Sequence, residues 1–393
     1  MVEYRTIFYN TFSTTTDTEM TEHIPADRTH ASLPSLANVR QQIDDIDTEI
    51  LVQLHKRITL ARMVGCIKGD GCGSKKDPVR EREIYERLIK ENKNLFPEKS
   101  LLSIFHEIIT TCLLIQQKNS IAYLGPEATF THLAGVRYFG QSADYKPMES
   151  IEDVFTEVER KRVTYGVVPV ENSIEGAVFS TLDAFMRHQV KICGEVQLEI
   201  IHNLVNQSGN MEDVKKIVSH AQPIAQCRNW LKKNLPAVET MPVFSTGAAA
   251  QMAAADPGIA AIAGDLAIKT YRLQIIKEGI QDFPGNTTRF LILGRETPGR
   301  SGRDKTSLLV GLMDRPGALH EVLTILSDHD INLTKIESRP IREKQWKYLF
   351  FIDTMGHITD RSLADACARL RTVCSFFEVL GSYPQADELT GHA

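Results

Sequence analysis

The sequence predicts a multidomain chain: an all-α segment, then an α/β segment, then a small α+β segment. Three observations carry this. Apolar residues repeat at helical spacing from residue 35 to about residue 118, and from Ser120 short apolar runs alternate with helical stretches. A linker rich in Gly, Pro and charge, RETPGRSGRDK, then precedes a final β-α-β-β-α-β pattern. At 393 residues the chain exceeds what one ordinary core accommodates. The expected divisions are a disordered tail at 1–34 and domains at 35–119, 120–297 and 305–385.

The tail is rich in Ser and Thr and has no apolar period, so it predicts disorder, with Met20 an alternative start. Glu3, Asp17 and Glu19 are wrong for a transit peptide, and a secretory signal's apolar core is missing. In the next segment Leu36, Val39, Ile43, Ile46, Ile50, Leu54, Ile58 and Ala61 fall on one helical face, predicting one helix from Ser35 to about Ile67. At 1.5 Å per residue it is longer than two further helices of the same segment can cover, so a partner chain is expected to share its core. GDGCGSKKDP breaks the pattern and reads as a flexible loop, since it follows a helix and lacks phosphate-loop spacing. VREREIYERLIKENK and LLSIFHEIITTCLLIQQK resume it.

In the α/β segment the expected strands are IAYLG, YGVVPV, KICGEVQLEI, KKIVSH, AAIAG and RFLILG. The last segment gives strands at SLLVGL, INLTKIESR, YLFFID and FFEVLG, with helices from Pro316 to His329 and near 361–373.

Composition removes several function classes. Hydrophobic content is 42% and mean hydropathy −0.19, with no apolar run near the ~18 residues that span a bilayer. A net charge of −5 argues against a nucleic-acid footprint. Seven scattered cysteines with no Cys-x-x-Cys pair favour neither disulfides nor zinc and fit a reducing cytoplasm. No histidine pair has ligand spacing, so no metal is expected.

Arg57 and Lys68, eleven residues apart, project from one side of the first helix and can grip one ligand. Asp77, Arg80 and Glu81 surround the start of the second helix, and Cys112 and Gln116 share a face of the third. On spacing alone, a solvated charged face is the commoner explanation. In the α/β segment, YLGPEATFTHLA, VVPVENSIEGAV, IHNLV, SHAQPIAQC, STGAAA and GNTTRFLILG concentrate Gly, Asn, Ser, Thr and Gln at strand ends, where open sheets place ligands. Individually, Asn172 or Ser219 can be a helix cap, His202 a core histidine and Thr288 an ordinary strand threonine.

Residues 35–118, through VRQQIDDID, KRITLARMVGCIK, DPVREREIYERL and IFHEIITTCLLIQQ, resemble the all-helical chorismate mutases. The six α/β segments together resemble the prephenate dehydratases. DRPGALHEVLTIL with NLTKIESRP resembles the ACT regulatory domain attached to them. The chain is thus expected to be a bifunctional enzyme converting chorismate through prephenate to phenylpyruvate, inhibited by phenylalanine. A non-catalytic amino-acid sensor is the rival.

The resemblance implies a dehydratase of two lobes like those of type II periplasmic binding proteins and a ferredoxin-like ACT domain. It implies no cofactor. Arg57 and Lys68 bind the substrate's carboxylates and ether oxygen, and Arg40 reaches into the other subunit's pocket, making an intertwined dimer. Arg40 lies about a hundred degrees round the helix from Arg57, which fits service in a different pocket. Glu81 and Gln116, with Gln117 a competitor, lie near the ether oxygen and hydroxyl; Asp77 lies near the closing loop, Arg80 supports it, and Cys112 stands where the family commonly has serine.

In the dehydratase, Thr288 rather than Thr287 lies beside the leaving hydroxyl and Arg289 meets a substrate carboxylate. Asn172, Ser219, Gln226, Ser245 and Thr246 supply neutral hydrogen bonds, and Glu171 organises its own loop. Thr131 keeps a hydroxyl in EATFTH, and Ala128, where glycine is commoner, is strained if its φ is positive. Gly317, Ala318, Leu319, Glu337, Ser338 and Arg339 are the expected phenylalanine site.

Overall fold

A computed structural model of the chain describes residues 35–68, 77–116, 119–340 and 348–386. The expected tail and the glycine-rich loop lie outside the described residues. As far as Gln53 the chain is a unit of its own, and from Leu54 onward it forms a second.

Three helices open the described residues: α1 (Leu36–Lys68), α2 (Pro78–Asn92) and α3 (Glu98–Gln116). Pro78 at the first position of α2 suits its fixed φ, and the Asp77 carboxylate caps that helix by accepting from the Arg80 amide at 3.1 Å. A Cβ on Gly65 would stand 3.1 Å from Gln116 Cγ, so glycine there lets α1 approach the end of α3. Along α1 the apolar residues Ile43, Ile46 and Ile50 are 52%, 55% and 53% exposed.

The middle of the chain forms two sheets. The first contains β1 (Ser120–Leu124), β2 (Asp144–Met148), β3 (Tyr165–Asn172), the short β4 (Gly176–Ala177), β5 (Lys191–Glu199) and, after a long excursion, β11 (Thr287–Gly294). Its order is β2-β1-β3-β11-β5, with β4 paired to β3. Helices α4 (Phe130–Phe139), α5 (Ile151–Glu159) and α6 (Phe179–Phe185) flank it. β1 pairs parallel to β2 and β3, whereas β11 pairs antiparallel to β3 and β5.

The second sheet is built within that excursion, in the order β10-β6-β9-β7-β8. Its strands are β6 (Asn203–Asn206), β7 (Lys216–His220), β8 (Glu239–Val243), β9 (Ile259–Ala263) and β10 (Gln274–Lys277). Its helices are α7 (Ala221–Gln226), α8 (Arg228–Asn234), α9 (Thr246–Ala255) and α10 (Asp265–Tyr271). The chain crosses between the sheets twice, and the crossings bond each other through Ile200 N to Asn286 O at 2.7 Å and Ile280 N to His202 O at 2.8 Å. Gly247, opening α9, packs so closely on the 125–128 loop that an added Cβ would lie 2.2 Å from Glu127 O.

The last segment runs β12 (Asp304–Gly311), α11 (Ala318–Asp328), β13 (Leu333–Pro340), β14 (Tyr348–Met355), α12 (Arg361–Val373) and β15 (Phe376–Pro384). The expected β-α-β-β-α-β pattern is observed, in the sheet order β13-β14-β12-β15. Both helices cover one sheet face, through Val322, Ile325, Leu363 and Leu370 against Leu308, Val310 and Ile352. On the opposite face Leu309, Phe351 and Tyr383 join the core of the first sheet. Gly381 allows backbone contact there, since its Cβ would meet Ile192 O at 2.2 Å. The expected helix start at Pro316 moves to Ala318 because Gly317 sits at φ 83°, a left-handed conformation that does not continue a helix.

Candidate functional site

Two groups of expected residues are brought together in separate parts of the chain. In the helical segment Arg57 donates through Nη1 to Cys112 Sγ at 2.7 Å and to Ile108 O at 3.2 Å. Gln116 follows one turn after Cys112, beside Gly65. Glu81 is buried, accepting from Tyr85 Oη at 3.3 Å, and that hydroxyl also lies 3.2 Å from His106 Nδ1. Burial, reinforced by the Glu81 charge, raises the Tyr85 phenol far above its usual range, so it stays protonated. The side chain of Lys68 and the whole of Gln117 lie outside the described residues. Asp77 is occupied as a helix cap, Arg80 pairs with Glu83 in solvent, and Arg40 is exposed on α1.

Between the two sheets runs a chain of hydrogen bonds among amide, hydroxyl and imidazole groups that ends on the Glu175 carboxylate. Asn172 ends β3 and Thr288 is its register partner on β11. The Asn172 Nδ2 group donates to Thr288 Oγ1 and to Asn286 Oδ1, both at 2.8 Å. Its Oδ1 accepts from the amides of Ile174 and Glu175, which fixes the amide's orientation. Asn286 Nδ2 donates to Gln226 Oε1 at 3.3 Å, and Gln226 Nε2 donates to Glu175 Oε1 at 3.1 Å. His202 Nε2 stands 2.7 Å from the same Gln226 oxygen; since amide oxygen only accepts, Nε2 carries the proton. Burial lowers the His202 pKa, against the raising effect of Gln226, so the ring is neutral at pH 7.

Thr288 therefore accepts from Asn172 and keeps its own proton to donate. Ser245 caps α9, accepting from the Ala248 amide at 3.0 Å, and Thr246 beside it is buried. Ser219 is fully buried with its hydroxyl on Ile262 O at 2.8 Å, so it is spent inside the second sheet. Thr131 is also buried, and Ala128 adopts φ 63°, the strained left-handed case. Sequence reasoning missed Asn286 and Glu175. The signal for Asn286 was a polar residue in a Pro-Gly turn directly before the apolar strand it helps to close.

Arg289 requires a correction. The expectation placed it on a substrate carboxylate, but successive residues of a strand face opposite sides. Its guanidinium leaves the Thr288 side and reaches Glu195 Oε2 at 2.7 Å, Asp353 Oδ2 at 2.6 Å and Tyr383 Oη at 2.9 Å. Burial alone would lower its pKa, but Tyr383, Asp353 and Glu195 outweigh that and raise it. Glu171 is corrected likewise: rather than organising its own loop, it forms an ion pair with Lys335 Nζ at 2.8 Å.

In the last segment Gly317, Ala318 and Leu319 open α11. Glu337, Ser338 and Arg339 lie on β13, an edge strand. Arg339 holds both carboxylate oxygens of Asp183 on α6 at 2.8 Å, with its guanidinium 4.3 Å from the centre of the Phe179 ring.

A cation-bearing helical segment and a buried amide–hydroxyl chain thus lie in separate parts of one polypeptide. Three family models match in order: chorismate mutase type II over residues 39–117, prephenate dehydratase over 121–298 and the ACT domain over 306–371. The chain is 46% identical over 358 residues to the bifunctional chorismate mutase/prephenate dehydratase of Aquifex aeolicus, covering 90% of this chain and 99% of that one. It is 40% identical over 362 residues to that of Pseudomonas aeruginosa, covering 91% and 99%. The solved prephenate dehydratase of Arthrobacter aurescens, in complex with L-Phe, is 36% identical at a TM-score of 0.64, covering 68% of this chain and 91% of that one. The chain belongs to the bifunctional chorismate mutase/prephenate dehydratase family and is an enzyme with both activities.

Proposed function

We propose that Arg57, with Cys112 holding its guanidinium, binds a chorismate carboxylate, while Lys68 and Gln116 stabilise the charge that grows on the ether oxygen as its C–O bond breaks. Rearrangement to prephenate needs no covalent catalyst, only compression and preorganised donors, each worth about 10²- to 10³-fold. The exposed isoleucine stripe of α1 supports an intertwined dimer in which a second copy covers that stripe and receives Arg40.

In the dehydratase, prephenate lies between the two sheets, read as lobes of the periplasmic-binding-protein kind because the chain crosses between them twice. The ring C–carboxylate bond breaks, the carboxylate leaves as carbon dioxide, and the electron pair of that bond aromatises the ring. The C–O bond opposite breaks, and the departing hydroxide takes a proton and leaves as water. The hydrogen bond from Asn172 to Thr288 carries this reading, because it turns the threonine proton outward toward that oxygen. Threonine is too weak an acid to be the ultimate proton source, so Thr288 acts as a positioned donor or relay. Gln226, Asn286, Ser245 and Thr246 shape the site with uncharged groups, and Ser219 supports the sheet beneath.

From its helix placement and strand order we read the third segment as a ferredoxin-like ACT domain, with Gly317–Leu319 and Glu337–Ser338 as a phenylalanine site shared between paired copies. The family assignment and the phenylalanine carried by the Arthrobacter relative support this. A reducing compartment fits the free cysteines among the described residues. Incubating the purified chain with chorismate tests the whole: phenylpyruvate should accumulate, and phenylalanine should slow its appearance. Prephenate accumulating without phenylpyruvate would refute the dehydratase assignment.

A further inference from the structure

The two residues that meet at the dehydratase site have chain neighbours that meet on the other side of the same strand pair. Thr288 and Asn172 are register partners, and so are Arg289 and Glu171. On the site side Asn172 donates to Thr288. On the far side Arg289 and Glu171 both end on the regulatory sheet, at Asp353 of β14 and Lys335 of β13.

The Arg289 cluster is closed and charge-balanced. Glu195 also receives Lys305 Nζ at 2.8 Å and the Ala386 amide at 2.9 Å, and Asp353 also receives the Ser307 hydroxyl. The Tyr383 hydroxyl, 2.9 Å from Arg289 Nη2, lies 2.7 Å from Ser307 Oγ. Three cations, Arg289, Lys305 and Lys335, thus face three carboxylates, Glu195, Asp353 and Glu171, across the junction of catalytic and regulatory sheets. Buried groups of this kind tolerate few arrangements, because each displaced partner leaves an uncompensated charge. The pairing of β11 with β3 shifts register between Arg289 and Phe290, an irregularity of the kind that re-aims the side chains beside it.

We propose that Arg289 is a positioning residue: anchored by Glu195, Asp353 and Tyr383, it ties β11 to the regulatory sheet and so sets where the Thr288 hydroxyl stands. It touches no substrate and acts through Thr288. The regulatory sheet thereby has a direct mechanical hold on the dehydratase site, with β13, which carries Lys335, Glu337 and Arg339, holding the neighbouring strand through Glu171. This rests on the dehydratase role given to Thr288 above.

The test compares Arg289→Lys, Asp353→Asn and their double variant in the full chain, measuring kcat and KM for prephenate, inhibition by phenylalanine, and mutase turnover. Both single variants should lower dehydratase kcat at least tenfold, with KM moving less than threefold, and shift the half-inhibiting phenylalanine concentration at least fivefold. The double variant should fall little below the worse single one, because both cut the same connection. Mutase turnover should stay within twofold, reporting intact folding. A tenfold rise in KM with kcat unchanged would mean that Arg289 binds substrate, and kcat, KM and inhibition all within twofold would make the cluster merely structural; either overturns the proposal. Should Arg289→Lys fail to fold, Asp353→Asn and the charge-preserving Ser307→Ala carry the same comparison and the same overturning results. An unmodified chain that dehydrates prephenate but ignores phenylalanine would refute the phenylalanine-site reading alone, leaving the kcat comparison in force.

Discussion

Asn172 holds its place by using all of its amide: the oxygen takes two backbone amides, and the nitrogen serves Thr288 and Asn286. Asn172→Asp keeps the shape and the accepting oxygen but cannot donate to Thr288. Dehydratase kcat should fall at least tenfold, about 1.4 kcal/mol in barrier, and a loss under twofold would show that Thr288 is positioned without Asn172. Cys112 poses a smaller question. A serine hydroxyl is a stronger acceptor than a thiol, but its shorter bond draws it back from Arg57. We expect Cys112→Ser to leave mutase kcat within about threefold, with any gain appearing as a lower KM for chorismate. A tenfold fall in kcat would mean that sulfur packing, rather than acceptance from Arg57, is what the site needs.

Helix α1 exposes an apolar stripe that one chain leaves uncovered. Ile50→Glu should therefore abolish most mutase turnover, while dehydration of supplied prephenate survives on copies still paired through the regulatory segment; undiminished mutase turnover would contradict the intertwined arrangement. A different element contact is sensitive to pH. His188, following α6, lies 2.8 Å from Glu159 and from Glu152 of α5, with Arg187 also on Glu152 and the ring against Phe155. Burial alone would lower its pKa, but the two carboxylates outweigh that and raise it above the ordinary 6.5. A raised folded-state pKa gives stabilisation that is complete below the unfolded value and is lost as pH climbs through the folded one. The melting temperature advantage of the unmodified chain over His188→Gln should thus be larger at pH 6 than at pH 8.5. An advantage independent of pH would show that the ring acts by packing alone.

Across the whole molecule, the sequence made the three segments and most long elements legible, because helical period, strand runs and a Gly/Pro linker are local signals. The strands it hid are short or interrupted: β2 carries a proline, and β6 and β10 have four residues each, too few to show an alternation. The motifs drew attention to Thr288 and Asn172, and the structure brings these two into hydrogen bond. The destination of Arg289 was legible only in part, since the two-residue period of a strand already forbade it from sharing Thr288's side, but its partners Asp353 and Tyr383 lie in another segment. Glu175 was hidden because its bond to Gln226 joins segments distant in sequence, and the turn that marks Asn286 does not disclose its distant partners Asn172 and Gln226. The measurement that bears most directly on two chemistries in two places is a paired assay of Lys68→Ala and Thr288→Val, each given chorismate and, separately, prephenate. Lys68→Ala should lose at least about 10²-fold in mutase turnover and dehydrate prephenate normally, while Thr288→Val, which removes a hydroxyl without opening a cavity, should do the reverse. Equal losses of both activities in either variant would contradict the separation of the sites.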